Sequence, residues 1–308
     1  MSLANTVLPY ILSGISVGGQ YALIAVGYTM VYGILRLINF AHGDVFMVAG
    51  LMMVYLAASL PLYLAIPLMI LITVLLGFTI ERVAYKPLRR APRMSLMISA
   101  IGVSYLLQNL ALYITGGLNK NYPTIPWISD QITVFGATTT RVTIITPFLT
   151  VALMAALVLL INHTKIGMAM RAVSKDFETS QLMGIRINGV ISATFAIGSF
   201  LAAVGSLLFF SNYPGIVPTS GAMPGLKAFV AAVFGGIGSI PGAVVGAFII
   251  GISESLIKGL DTILITQGVI AEQVDFSTFS DAVTFVLLIV ILVLKPTGLF
   301  GEKTTDKV

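Results

Sequence analysis

The fold is decided by GLKAFVAAVFGGIGSIPGAVVGAFIIGISESL, the stretch from Gly225 to Leu256. Two apolar arms flank its central motif, GGIGSIPG, which runs from Gly235 to Gly242. Glycine and proline interrupt regular helices, and each arm is shorter than the about 20 apolar residues that cross the hydrocarbon layer of a membrane. We therefore interpret residues 222–258 as a hairpin of two shorter helices in a membrane protein.

The composition of the whole chain supports this interpretation. Of its 308 residues, 57% are hydrophobic and only 9% are charged, and the mean hydropathy is +1.00. A soluble domain carries about 25% charged residues, so this chain has too little charge to solvate a folded surface in water. The absence of cysteine excludes disulfides, thiolate metal sites and a cysteine nucleophile. We attribute the net charge of +5 to membrane orientation and expect no nucleic-acid partner.

The sequence predicts nine membrane spans, within a range of eight to ten. A helix that crosses about 30 Å of hydrocarbon needs about 20 largely apolar residues. Seven such segments lie at approximately 8–34, 45–60, 62–81, 95–115, 143–161, 188–210 and 281–295, and the hairpin supplies two more. The first twenty residues lack the basic start of a secretory signal, so we expect them to form part of the first span. The expected fold is an all-α polytopic transmembrane helical bundle, a single domain over residues 1–308, with two broken or re-entrant segments.

The basic residues predict the orientation of these spans. Five of the 17 Lys and Arg residues fall between Arg82 and Arg93, and four fall between Lys165 and Arg186. The others at expected cytoplasmic sites are Arg36, Lys295, Lys303 and Lys307. Cytoplasmic loops carry an excess of Lys and Arg, and the segments between these sites contain even numbers of predicted spans, as a common side requires. The loop at 116–142 and the stretch at 258–281 are therefore expected outside.

A cytoplasmic loop, KIGMAMRAVSKDFETSQLMGIRIN from Lys165 to Asn188, is too charged to be embedded but is typical of an amphipathic helix. Its expected apolar side comprises Met168, Ala172, Leu182 and Met183, and its polar side comprises Arg171, Lys175, Asp176 and Glu178. Gly184 marks the expected C-terminal stop. Such a helix either docks into a cytoplasmic protein or lies as a solvated connector on the lipid headgroups.

Two apolar segments are interrupted by glycine and polar residues, at INFAHGD (Ile38 to Asp44) and at GGIGSIPG. Irregular backbone at membrane depth is tolerated only inside protein or beside a water-filled cavity, because unpaired peptide groups in lipid cost several kcal/mol. Both segments therefore either line a pathway or gate, or turn at a membrane face. The candidate pathway residues are Asn39, His42, Gly43, Asp44, Gly235, Gly236, Gly238 and Pro241.

Two charged residues, Lys227 and Glu254, lie on opposite arms of the predicted hairpin at similar distances from its turn. An isolated charge at the centre of a membrane helix costs at least about 2.5 kcal/mol, and a partner of opposite charge reduces that cost. The two residues either form a buried charge pair or each extend to the outer interface.

No catalytic motif is present in the sequence. A GxxxxGK[ST] phosphate loop is absent, so the chain lacks this means of binding and hydrolysing ATP. The two histidines, His42 and His163, belong to no cluster with metal-ligand spacing, and no Ser/His/Asp set or carboxylate pair has a supporting context. We expect a protein that is not an enzyme and that binds no metal or cofactor itself.

A family resemblance follows from four stretches of the sequence. YALIAVGYTMVYGILRLINFAHGDVFM spans Tyr21 to Met47, and ERVAYKPLR spans Glu81 to Arg89. The hairpin sequence and the closing KPTGLFG, Lys295 to Gly301, complete the set. Together they resemble the branched-chain amino-acid ABC transporter permeases of the LivH type, over nearly the whole chain.

This resemblance implies a permease subunit that imports leucine, isoleucine, valine or related small molecules across the bacterial cytoplasmic (inner) membrane. It implies a homologous second permease, two cytoplasmic ABC ATPases that bind ATP and Mg²⁺, and an extracytoplasmic substrate-binding protein. It also assigns the loop at about 163–187, with Arg171, Lys175, Asp176, Glu178 and Gly184, to coupling with an ATPase. Similar permeases import urea and short-chain amides, so the substrate stays open. The main rival interpretation is a secondary transporter or channel that needs no ATPase.

Overall fold

The computed structural model describes residues 3–89, 91–134, 137–267 and 276–301. Twelve α-helices lie within these ranges. They are α1 (Leu3–Leu35), α2 (His42–Ser59), α3 (Leu62–Ile80), α4 (Arg93–Thr115), α5 (Arg141–His163), α6 (Lys165–Lys175), α7 (Phe177–Leu182), α8 (Ile187–Asn212), α9 (Ala222–Gly235), α10 (Ile240–Lys258), α11 (Leu260–Thr266) and α12 (Ser280–Leu294). A π-helical turn, Glu81–Tyr85, extends α3, and a 3₁₀ turn, Phe276–Phe279, precedes α12.

The strands are short and belong to the connections between helices. They are β1 (Lys120–Asn121), β2 (Gln131–Val134), β3 (Ala137–Thr140) and β4 (Gly215–Ile216). β2 and β3 form an antiparallel hairpin, and β1 pairs antiparallel with β4. The loop between α4 and α5 is thereby attached to the connection between α8 and α9.

The expected helical bundle is confirmed. Eight helices in the described ranges are long and apolar enough to cross a membrane, and α9 is a shorter apolar helix of 14 residues. At 1.5 Å per residue α9 is about 21 Å long, which is less than the hydrocarbon thickness. Counting α9 gives the nine predicted segments, and residues 236–239 separate α9 from α10 as in the predicted hairpin. The prediction of two shorter helices is wrong for α10, which has 19 residues and is long and apolar enough to cross a membrane.

The centre of the bundle is α1, which packs against α5, α8, α9 and α10. Its closest approach is to α10, where both helices carry small residues. A Cβ built on Gly14 would lie 2.7 Å from the Ile252 Cα, and one built on Gly18 would lie 2.8 Å from the Phe248 Cα. Small residues allow membrane helices to approach closely, so this contact fixes the hairpin against α1.

The chain re-enters the bundle after α1. Residues 36–41 are non-helical, and they bring His42, the first residue of α2, against Gly27 of α1. Gly27 lies eight residues before the end of α1, which corresponds to about 12 Å along the helix. The first polar interruption is therefore buried inside the protein.

A second re-entrant segment, which the sequence analysis did not assign, lies at residues 213–221. It leads to the start of α9, where a Cβ built on Gly225 would lie 2.8 Å from the Gly43 Cα. The first turns of α2 and α9 thus meet inside the bundle. The sequence of residues 213–221, YPGIVPTSG, is rich in proline and glycine between two apolar runs, and this composition could have predicted the segment.

The predicted cytoplasmic sites lie at one end of the bundle. Arg36 donates a hydrogen bond to the Ser174 carbonyl, and Arg89 donates one to the Asn188 side chain. The closing segment joins the same end, because Phe300 donates its backbone N–H to the Gly235 carbonyl at 2.9 Å. Lys303 and Lys307 lie outside the described residues.

The loop at 165–188 differs from the single amphipathic helix that was predicted. It forms α6 and α7, separated at Asp176, whose backbone is extended (φ −150°, ψ 107°). The Asp176 carboxylate accepts the backbone N–H of Thr179 at 3.0 Å and so begins α7 as its N-cap. The buried residues of α6 are Gly167, Met170 and Val173. The predicted apolar residues Met168, Leu182 and Met183 are exposed instead.

Candidate functional sites

Asn39 lies in the first re-entrant segment and is buried. Its side-chain oxygen accepts a hydrogen bond from the Tyr85 hydroxyl at 2.8 Å and another from the Ala41 backbone N–H at 3.2 Å. The second bond stabilises the turn that leads into α2. Asn39 therefore joins the re-entrant segment to the π-helical turn.

His42, at the start of α2, is buried against α1 and α8. Its ring packs on Gly27 of α1, and it meets the Tyr28 ring edge-on with centroids 5.0 Å apart. A Cβ built on Gly198 of α8 would lie 3.5 Å from the same ring. The His42 Nε2 is buried and makes no hydrogen bond within the described part of the chain. The absence of a side chain at Gly27 is what makes room for the ring.

Asp44 is a buried carboxylate in the first turn of α2. Its two oxygens accept hydrogen bonds from the Ser104 hydroxyl at 2.5 Å and from the Gln108 amide at 2.9 Å. Both donors lie on one face of α4, four residues apart. A carboxylate near a helix N-terminus is also stabilised by the helix dipole. Asp44 thus binds α4, one of the most peripheral spans, to the centre of the bundle.

Lys227 and Glu254 form a buried pair, with 2.7 Å between the Lys227 Nζ and the Glu254 Oε1. Lys227 also lies 2.6 Å from Asp281, and Lys258 lies 2.6 Å from Glu254. The Tyr21 hydroxyl donates to the other oxygen of Glu254 at 2.9 Å. We call these four charged residues the charge cluster, and it links α9, α10 and α12 to α1.

A cavity of about 300 Å³ adjoins the charge cluster. Its polar wall contains Lys227, Glu254 and Lys258. The remaining wall is largely aromatic and apolar, with Val17, Tyr21, Phe209, Phe210, Tyr213, Met223 and Pro224, and it is completed by Gly215 and Ser220. The second re-entrant segment and the first turn of α9 therefore border this cavity.

GGIGSIPG lies at the end of the bundle where the basic residues gather. Gly236 has a left-handed backbone (φ 105°) and a Cβ there would lie 2.5 Å from the Gly301 nitrogen. Gly235 is buried, Gly238 and Pro241 are exposed, and Pro241 lies in the first turn of α10. Residues 298–301 pack on this turn, and Leu299 and Phe300 donate to the last carbonyls of α9. The motif is thus a tight turn covered by the closing segment.

The predicted coupling residues lie on α6 and α7 but have different surroundings. Arg171 donates to the side chain and the carbonyl of Asn162, which holds α6 against the end of α5. Lys175 and Glu178 are exposed. Gly184 ends α7 in a left-handed conformation (φ 83°), with Ile185 donating to the Ser180 carbonyl in the pattern of a Schellman motif.

Exposed apolar side chains accompany these charged residues. Leu182 is 87% exposed and Met183 is 79% exposed, and Met168, Ile166 and Phe177 are also exposed. Apolar residues on a segment too polar to be embedded are typical of a surface that binds another protein.

A polar cluster that the sequence analysis did not assign lies beside this segment. Glu81, in the π-helical turn, is buried and forms an ion pair with Arg89. It also accepts a hydrogen bond from the Ser192 hydroxyl at 2.7 Å, while Arg89 donates to Asn188. Asn188 lies in the first turn of α8, directly after the α6–α7 segment. In the sequence, the signal for this cluster was a glutamate directly after a long apolar run. In the structure, that glutamate lies in a π-helical turn, and π-turns within helices frequently occur at functional sites.

Comparison with known proteins assigns the family. The model of the branched-chain amino acid transport system permease component matches residues 10–292. The high-affinity branched-chain amino acid transport system permease protein BraD of Pseudomonas aeruginosa is 39% identical, over 98% of this chain and 98% of its own length. The corresponding LivH of Escherichia coli is 38% identical, over 98% and 97%. A solved metal-chelate type ABC transporter in an inward-facing conformation aligns with a TM-score of 0.46 at 16% identity, over 92% of this chain and 85% of that chain. The family model and the two relatives show that this chain belongs to the family of branched-chain amino-acid transport permeases.

Proposed function

We propose that this chain is the permease subunit of an ATP-driven importer of branched-chain amino acids in the bacterial cytoplasmic membrane. The observation that carries the proposal is the match to branched-chain amino-acid permeases over 98% of the chain. The whole chain acts as one permease domain and forms the translocation pathway together with a homologous second permease. Two cytoplasmic ATPases bind ATP and Mg²⁺, and an extracytoplasmic binding protein delivers the substrate.

The α6–α7 segment is the docking surface for an ATPase in this proposal. It lies at the basic end of the bundle, and it combines exposed charges at Lys175 and Glu178 with the exposed side chains of Leu182 and Met183. An excess of basic residues favours the cytoplasmic side, where the ATPases are found. Arg171 and Gly184 fix the shape of this surface.

A continuous set of contacts leads from the docking surface to the interior. Asn188 follows the α6–α7 segment and contacts Arg89, which pairs with Glu81. Tyr85, one turn after Glu81, donates to Asn39 in the first re-entrant segment. A movement of the docked segment is transmitted through these contacts to the start of α2, and the resulting shift of α2 changes access to the pathway. These contacts couple the docking surface to the pathway only if they have two arrangements and both the ATPase and the pathway favour one of them.

Reconstituted uptake tests the proposal. The complex, purified with its partners, is placed in proteoliposomes with ATP and the binding protein, and uptake of labelled leucine is measured. We expect ATP-dependent uptake that Glu178→Lys abolishes while the protein stays inserted. Glu178→Gln, which removes the charge without reversing it, is the matched variant and should retain more uptake. Uptake that persists without ATP, or that Glu178→Lys leaves unchanged, would contradict ATP coupling through this segment.

A further inference from the structure

The cavity beside the charge cluster has the chemistry of an amino-acid binding site. We propose that it binds the zwitterionic backbone of a neutral, apolar amino acid, with the charge cluster holding the α-ammonium and α-carboxylate groups. This inference rests on the proposed function and adds to it a site within this chain. The volume of the cavity, about 300 Å³, lies at the lower end of the range of small-molecule pockets.

The polar and the apolar residues that line the cavity match the two parts of such a ligand. Lys227 and Glu254 line the cavity 2.7 Å apart and supply one positive and one negative group. Val17, Phe209 and Met223 belong to the apolar part of the lining, where an aliphatic side chain is removed from water. Binding pockets commonly combine an apolar lining with a few polar groups that fix the orientation of the ligand.

The charge balance selects a ligand without net charge. The cluster contains two lysines, Lys227 and Lys258, and two carboxylates, Glu254 and Asp281, and its formal charge is therefore zero. A zwitterion adds one charge of each sign and preserves this balance. A ligand with only an ammonium or only a carboxylate leaves one charge uncompensated in a site of low polarity, which is unfavourable.

The exposed members of the cluster are exchangeable partners. Lys227 and Glu254 are only 6% and 3% exposed, whereas Asp281 and Lys258 are 44% and 45% exposed. A ligand carboxylate can replace Asp281 on Lys227, and a ligand ammonium can replace Lys258 on Glu254. The displaced groups reach solvent at little cost, and both buried charges keep a partner. Such exchange makes the binding reversible, as a transport site requires.

Photolabelling of the purified complex, without the binding protein, tests this site. The probe is photo-leucine, a diazirine analogue of leucine, and the labelled peptides are identified by mass spectrometry. We expect adducts on the cavity wall, at Phe209, Phe210 or Met223, which excess leucine prevents. Neither 4-methylpentanoate, which lacks the ammonium, nor 3-methylbutylamine, which lacks the carboxylate, should compete at equal concentration.

Variants provide the second part of this experiment. Lys227→Met and Glu254→Gln should each reduce labelling about tenfold, because each removes a charge-assisted contact. Asp130→Asn, at an exposed ion pair with Arg141 away from the cavity, is the matched control and should label like the unaltered chain. If a variant fails to fold, the competition by the two half-ligands on the unaltered chain still decides.

The outcomes separate this site from the proposed function. Labelling elsewhere, absence of labelling, or equal competition by either half-ligand would overturn the site. Leucine uptake by the same preparation with ATP and binding protein would then leave the importer standing. Absence of uptake of every branched-chain amino acid would overturn the proposed substrate.

Discussion

A methyl group added at Gly27 should destabilise the protein through one contact, the packing of His42. Gly27 lies on α1, and a Cβ built on it would overlap the His42 Nε2 and lie 2.6 Å from Cε1. The ring has little freedom to move, because Tyr28 lies at its edge and Gly198 borders its other side. Gly27→Ala therefore forces apart α1 and the re-entrant segment.

The magnitude follows from two opposing effects. Overpacking of a filled site costs about 1–3 kcal/mol, while alanine in place of glycine in a helix contributes about 1 kcal/mol of stability. Gly33, on the same helix, has no atom within 4 Å of a built Cβ, so Gly33→Ala should show the favourable effect alone. We expect Gly27→Ala to be about 1–3 kcal/mol less stable than Gly33→Ala. At about 2 °C per kcal/mol, the difference in Tm is about 2–6 °C.

The assay is thermal unfolding in detergent of both alanine variants, each made with and without His42→Ala. Removing the ring vacates the site, so Gly27→Ala should lose its cost in the His42→Ala background. Equal stability of Gly27→Ala and Gly33→Ala would refute the proposed packing. An undiminished cost of Gly27→Ala in the absence of the ring would also refute it.

Three further predictions concern the other sites. Gly184→Ala should reduce uptake and cost about 1–2 kcal/mol locally, because a left-handed backbone disfavours a Cβ. Gly189→Ala on α8 is the control, and equal uptake by both variants would contradict the role of Gly184. Lys227→Met and Glu254→Gln should each lower Tm, and the double variant should lose less stability than the two single variants together. Additive losses would show that the pair is not coupled. Glu81→Gln should slow uptake with little loss of membrane-inserted protein, and unchanged uptake would remove this residue from the coupling contacts.

The charge cluster also explains why exchanging the two charges is a poor test of their pairing. In a chain with Lys227→Glu and Glu254→Lys, the new glutamate would face Asp281 and the new lysine would face Lys258. Like charges at these distances oppose each other, so the exchange would fail even though the pair is real. Neutral replacements avoid this repulsion.

The spans and the hairpin could be predicted from the sequence because membrane helices depend on the length and polarity of local segments. The loops at one end of the bundle could be identified from their basic residues, because Lys and Arg are concentrated in the loops on one side of a membrane. The predicted partners of Lys227 were incomplete, because Asp281 is 54 positions further along the chain and only packing brings it close.

Local sequence could not predict how deeply the two interrupted segments are buried in the bundle. INFAHGD and GGIGSIPG both interrupt apolar runs, yet His42 is buried against Gly27 whereas Gly238 is exposed at the end of the bundle. Their difference comes from what packs on them, which is α1 and α8 for the first and the closing segment for the second. The division of the α6–α7 segment depended on a single cap, since Asp176 bonds to Thr179 and interrupts a helical pattern.

The most direct test of the proposed importer is to purify the tagged chain from its native membrane in mild detergent and to identify the associated proteins by mass spectrometry. We predict recovery of two ABC ATPases and a second permease, and loss of the ATPases when Leu182 and Met183 are both replaced by aspartate. Recovery of the folded chain alone, with leucine transport by that chain without ATP, would contradict the account.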